Sequence, residues 1–185
     1  MKKYISMLAS SLLMVGASLA QAFPIASTGD GLSVVVSGNN DVIATYQGNS
    51  ASYSNDLYLV NTGEFIFNNH SAAVGDTVNL GSFAVGTELI FKLFVNNTNT
   101  AYFTGSGAAN PDSHTHARVQ EEWQPGETLV SFEDLFNGPF DFNDLSFSFT
   151  NTNTSTPITV PEPAPFTLFV IGLVSLLWFR KRMAK

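Results

Sequence analysis

The stretch FNDLSFSFTNT, residues 142–152, decides the fold class. Leu145, Phe147 and Phe149 alternate with Ser146, Ser148 and Thr150, and a period of two sends large apolar groups to one face of an extended chain and hydroxyls to the other. That pattern predicts a strand with one face buried. Working outward, the same grammar recurs in LSVVVSG, DVIATYQG, SNDLYLV, GEFIFNN, DTVNLGSF, TELIFKLFVNN, TAYFTG, THARVQEEW and ETLVSFEDL, which are separated by clusters of Gly, Asn, Asp, Ser or Pro. No helical period competes. In TELIFKLFV, Leu89, Phe91, Leu93 and Val95 form one row and Ile90 and Phe94 the other, so this strand is expected to be buried on both sides. The expected architecture is all-β, an antiparallel β-sandwich of jelly-roll type.

Composition bounds the rest. The chain has 185 residues, 44% hydrophobic and 12% charged, enough for one globular body with appendages. It contains no cysteine, which excludes disulfides, zinc–thiolate sites and cysteine nucleophiles. Between residues 23 and 160 fourteen acids face only Lys92 and Arg118, a formal charge near −12. Such a body repels nucleic acid and anionic lipid, so neither is an expected partner.

The two ends carry targeting signals. MKKYISMLASSLLMVGASLAQAFP places Lys2 and Lys3 before an apolar stretch and ends it in Ala20-Gln21-Ala22. This predicts a secretory signal peptide over 1–22, a signal helix led through the Sec translocon and cut before Phe23; the alternative is an uncleaved anchor. At the other end Val160-Pro161-Glu162-Pro163 precedes the apolar run Phe166–Phe179 and the cluster Arg180-Lys181-Arg182. At the helical rise that run covers roughly 21 Å of a hydrocarbon core about 30 Å thick, a marginal span. With Ala164 and Pro165 added, a transmembrane helix over about 164–179 is expected, its basic flank on the cytoplasmic side.

The Pro-Glu-Pro triplet, apolar run and basic cluster, in that order over 161–185, resemble the PEP-CTERM sorting signal of Gram-negative bacteria that make extracellular polysaccharide. The resemblance implies transient retention in the inner membrane, recognition by an exosortase and cleavage near Pro161-Glu162-Pro163. It also implies delivery of the body to the cell surface or medium, where exopolysaccharide is the candidate partner. The alternative is an ordinary tail anchor on a Pro-rich stalk. Before the signal, Thr150, Thr152, Thr154 and Thr156 alternate with Asn151, Asn153 and Ser155, and 150–160 is expected to be a flexible linker that follows a sandwich domain over 23–149.

The stretch from Asn110 to Phe149 resembles a domain of unknown function common in secreted bacterial proteins. His116-Ala117, Phe132-Glu133-Asp134-Leu135 and Asp141-Phe142-Asn143-Asp144-Leu145 carry the likeness, and Pro139-Phe140 depart from it, where Gly, Asp and a base are commoner. On residue chemistry alone, Glu133, Asp134, Asp141 and Asp144 are four acids with no base between residues 131 and 145. Crowded like charges repel unless water or a cation intervenes, and with the Asn143 carbonyl they form an oxygen-rich set suited to Ca²⁺. The alternative is that these residues build Asx-turns with solvated acids. His114 and His116 sit two apart with no evident third ligand, which predicts a polar, half-exposed strand rather than a zinc or copper site.

No nucleophile elbow, H-E-x-x-H, P-loop or dinucleotide fingerprint is present. The expected function is that of a non-catalytic exported surface or matrix protein. The alternative is a small carbohydrate-active enzyme or glycan-binding module, since paired carboxylates for glycoside hydrolysis leave no sequence signature.

Overall fold

The computed structural model describes residues 22–155. Twelve strands run through them: β1 (Ser33–Val36), β2 (Ile43–Asn49), β3 (Asn55–Leu59), β4 (Glu64–Asn68), β5 (Thr77–Asn79), β6 (Glu88–Leu89), β7 (Phe91–Val95), β8 (Thr100–Phe103), β9 (Ala117–Gln124), β10 (Glu127–Phe132), β11 (Leu145–Thr150) and β12 (Thr152–Ser155). Each alternating stretch of the sequence carries a strand, and TELIFKLFVNN carries two. Among the described residues the one helical element is a 3₁₀ turn at Gly107–Ala109, and no helix is long and apolar enough to cross a membrane.

The strands form three antiparallel sheets, ordered β5-β2-β11-β10-β9, β4-β3-β7-β8 and β12-β1-β6. All three feed one core. Phe149 of the five-stranded sheet stacks on Phe91 of the four-stranded sheet with centroids 4.0 Å apart, and Phe147 lies parallel to Phe67 at 6.0 Å. Val34, Val36 and Leu89 bring the three-stranded sheet into the same cluster. Each such side chain, fully buried, contributes about 1.5–3 kcal/mol of transfer free energy. The architecture is thus all-β and sandwich-like, with hairpins β3-β4, β7-β8 and β9-β10-β11 lying within single sheets.

Three expectations are corrected. First, Ser146 and Ser148 are as buried as the phenylalanine between them: residues 23–26 pass over Ser146, and Ser148 accepts from Gln47 Nε2. The Ala26 N–H donates to Ser131 Oγ, which in turn bonds Ser146 Oγ at 2.7 Å. Gly48 permits this crossing, since a Cβ there would stand 2.5 Å from Phe23 Cβ. Second, β7 is buried on one side only. Leu93 and Val95 are sealed, whereas Ile90, Lys92 and Phe94 are half-buried on the outer face.

Third, the expected linker begins inside the fold. Thr150 ends β11, Asn151 turns the chain in the left-handed region (φ 55°), and β12 pairs with β1 from Val36↔Thr152 to Ser33↔Ser155. Thr152 is buried and its hydroxyl donates to the Phe149 carbonyl. Low-complexity composition says little about packing, and the unpaired edge of β1 supplies the partner that composition alone does not reveal. The sorting residues Val160, Pro161, Glu162, Pro163, Arg180, Lys181 and Arg182, both expected helices and Ala20 lie outside the described residues. Ala22 is exposed and Phe23 is half-buried.

Candidate metal centre

The site lies where β9, β10 and β11 leave the five-stranded sheet at one end. β10 pairs with β11 through Phe132↔Leu145 and with β9 through Phe132↔Ala117, so the residues just beyond these pairs, Glu133, Asp144 and His116, must converge. Glu133 N–H donates to the His116 carbonyl, and Asp144 N–H donates to the Phe132 carbonyl. The loop from Leu135 to Asn143 then closes over the corner.

Glu133, Asp134 and Asp144 each bring one carboxylate oxygen within 4.8 Å of the others. Two oxygens on one Ca²⁺, each at 2.3–2.6 Å, stand at most about 5 Å apart, so the separation fits one shared ion. One oxygen of each acid is already held: Glu133 Oε1 by the Leu135 N–H, Asp134 Oδ2 by Asn55 Nδ2, and Asp144 Oδ2 by the Asp134 N–H. Glu133 is 0% exposed, and its Oε2 is buried without a partner, as is the Oδ1 of Asn55. A buried acceptor with no donor costs about 1–3 kcal/mol, more when it is charged. A hard cation held among the three acids would satisfy Glu133 Oε2, which a neighbouring hydrogen-bond acceptor cannot do.

Among the described residues no ammonium or guanidinium relieves the corner. Arg118 pairs with Asp30 and lies over the Phe142 ring, while Lys92 stands over Tyr58 on the outer face of the four-stranded sheet. Burial, then the charge of Asp144, pushes the Glu133 carboxyl up to about 7. Burial likewise raises Asp134, to about 6, against the lowering effect of the Asn55 amide. Without a cation, the corner takes up protons instead.

The histidines divide. His114 is exposed, whereas His116 is wholly buried, stacked at 3.8 Å on Tyr102, with Nδ1 2.9 Å from the Glu133 carbonyl and Nε2 2.9 Å from Asp112 Oδ2. The expectation of a half-exposed strand holds for neither. His116 is a strut: it fixes the backbone of Glu133 and ties it to the buried Asp112. Burial raises the Asp112 carboxyl, but the Asn137 N–H, the His116 ring and the His114 N–H outweigh it and leave the group lowered to about 2.

Of the five residues expected to bind a cation, three converge and two do not. Asp141 is exposed and accepts from Asn143 Nδ2 at 2.6 Å, while Asn143 Oδ1 accepts from the Ser50 hydroxyl. That pair is an Asx-type brace of the loop, as the turn-forming alternative anticipates. Asn55 and Asp112 belong to the corner and were not expected, because they come from distant or polar stretches with no local pattern. The departing residue Phe140 packs edge-on against His116 at 5.4 Å. It takes left-handed backbone, as do Asn137 and Phe142, at φ 53°, 52° and 56°. Asn137 tolerates that region, but Phe140 and Phe142 cost about 1–3 kcal/mol each there, so the loop is held by its contacts rather than by its own preference.

No protein-family model, curated protein or solved structure matches the chain.

Proposed function

We propose that this chain is a non-catalytic exported protein of the cell surface or extracellular matrix, whose β-sandwich body is stabilised by Ca²⁺ at Glu133, Asp134 and Asp144. The observation that carries this reading is the wholly buried Glu133 Oε2, left without a partner on a residue clustered with two further carboxylates and with no Lys or Arg beside them among the described residues. Acids sunk this far into the body suit an ion better than the glycosidic oxygen of a polymer, which supports a structural role over hydrolysis. On the same reading the body is a jelly-roll-like sandwich and is carried between two removable membrane helices. The Sec translocon receives the first, cut between Ala22 and Phe23, and an exosortase acts at Pro161-Glu162-Pro163 while the second holds the body at the inner membrane.

Equilibrium calcium binding to protein recovered from the cell surface or medium tests the cation site. One ion per chain is expected, with a dissociation constant at or below about 10⁻³ M, as for extracellular calcium modules. Absence of binding in that range overturns the site. The intact mass of the same sample tests the processing: a chain from Phe23 to the Pro-Glu-Pro region supports it, and retention of Trp178 and Arg180 overturns it.

A further inference from the structure

The outer face of the four-stranded sheet carries a feature that the calcium reading leaves unused. Strand pairing sets Phe65, Tyr58, Lys92 and Phe103 in one row across all four strands, through Tyr58↔Phe65, Tyr58↔Lys92 and Lys92↔Phe103. Tyr58 and Phe65 meet edge to face at 5.6 Å, Lys92 Nζ sits 4.1 Å over the Tyr58 ring, and Phe65 is 49% exposed. Beside Lys92 the alternation of the chain adds Phe94 on one side and Ile90 and the exposed Glu88 on the other.

This row opens into a cavity of about 610 Å³. Phe103 belongs to both, and Ile90 and Val60 line the cavity beside it. Ser33 and Glu88 line it too, and the Ser33 hydroxyl donates to Glu88 Oε1. The volume lies in the range of small-ligand sites. From Glu88 to Phe94 the extended chain covers roughly 20 Å at about 3.3 Å per residue, so row and cavity form an elongated strip.

We propose that this strip binds a neutral glycan chain. Its partner meets the exposed Phe65 ring and the cavity-lining Phe103 beside the Glu88 carboxylate and the Lys92 ammonium, and a sugar ring, with apolar faces and a rim of hydroxyls, suits both kinds of group. Glu88 and Lys92 carry opposite charges within the strip, and the strongly acidic body around them repels polyanions. The inference rests on the outer face and not on the acidic corner, so the two readings fail separately.

Affinity electrophoresis of the full-length exported protein through gels containing dextran, a soluble β-1,3-glucan or a galactomannan tests it, with alginate as the polyanionic comparison. Retardation by at least one neutral polymer is expected, both with calcium and with chelator. Phe65→Ala and Glu88→Gln should each weaken it by about tenfold while the melting temperature stays unchanged. Val74→Ala, at a 70% exposed apolar site elsewhere, should leave it intact. Retardation by none of the neutral polymers, preference for alginate, or binding indifferent to both strip variants overturns the proposal. So does concentration-dependent dimerisation abolished by Phe65→Ala, which would make the face an interface between copies.

Discussion

Asn55 on β3 and Asp134 just beyond β10 lie 79 residues apart and are joined by a 2.7 Å hydrogen bond from Nδ2 to Oδ2. The bond links the four-stranded sheet to the acidic corner of the five-stranded sheet, so the site and the packing of the two layers depend on each other. Asn55→Ala removes the donor and strands a buried carboxylate oxygen. In metal-free buffer near neutral pH it should destabilise the fold by about 2 kcal/mol, read as a lower urea midpoint at unchanged slope. A midpoint equal to that of the unsubstituted protein would mean that the bond holds neither layer.

Gly138→Ala tests the closure of the loop over the site. A Cβ at Gly138 would stand 2.5 Å from Glu133 Oε1 and 2.8 Å from Leu135 Cβ. The added methyl must displace either the carboxylate or the loop, at a cost of about 1–3 kcal/mol. The melting temperature should fall, and calcium should restore less of it than in the unsubstituted chain. A fully preserved calcium response would place the loop outside the site.

Without calcium, stability should fall as pH rises through the corner's titration. Glu133 is raised from 4.5 to about 7 and Asp134 from 3.8 to about 6, so between these limits the folded state keeps protons that the unfolded chain has released. Asp112, lowered from 3.8 to about 2, acts in the opposite sense: its contribution is present above the unfolded value and is lost as pH falls through about 2. Metal-free melting temperatures should therefore be higher near pH 5 than near pH 8. Saturating calcium should reverse the order, since the ion replaces the protons. A metal-free protein more stable near pH 8 would contradict the proposed balance.

Most of the fold was legible because the strands alternate cleanly. LSFSF and TELIFKLFV put Phe147, Phe149, Phe91 and Leu93 on rows that reach the core, although the second row of TELIFKLFV, expected to be buried too, faces outward. What escaped was tertiary. Nothing local to Ser146 announces that residues 23–26 will cover it, and nothing in TNTS announces an edge for it to join. The acidic corner was half legible for the same reason. Crowding without a base pointed to Glu133, Asp134 and Asp144, but spacing could not separate these from Asp141 and Asn143, which the loop turns outward. Asn55 could not be found from sequence, because its only link to the site is through space.

The central claim is that a cation joins Glu133, Asp134 and Asp144, and thermal unfolding across a calcium titration to several millimolar tests it most directly, run on the unsubstituted chain, Asp144→Asn and Asp141→Asn. An ion that binds the folded state alone stabilises it by about 1 kcal/mol at a fivefold excess over Kd and by about 2.7 kcal/mol at a hundredfold excess, an upward shift of about 4 to 10 °C for a body of this size. The account predicts that shift for the unsubstituted chain, its loss in Asp144→Asn, and its survival in Asp141→Asn, whose carboxylate braces only the loop. A melting temperature unmoved by millimolar calcium, or a shift that persists in Asp144→Asn, would contradict it.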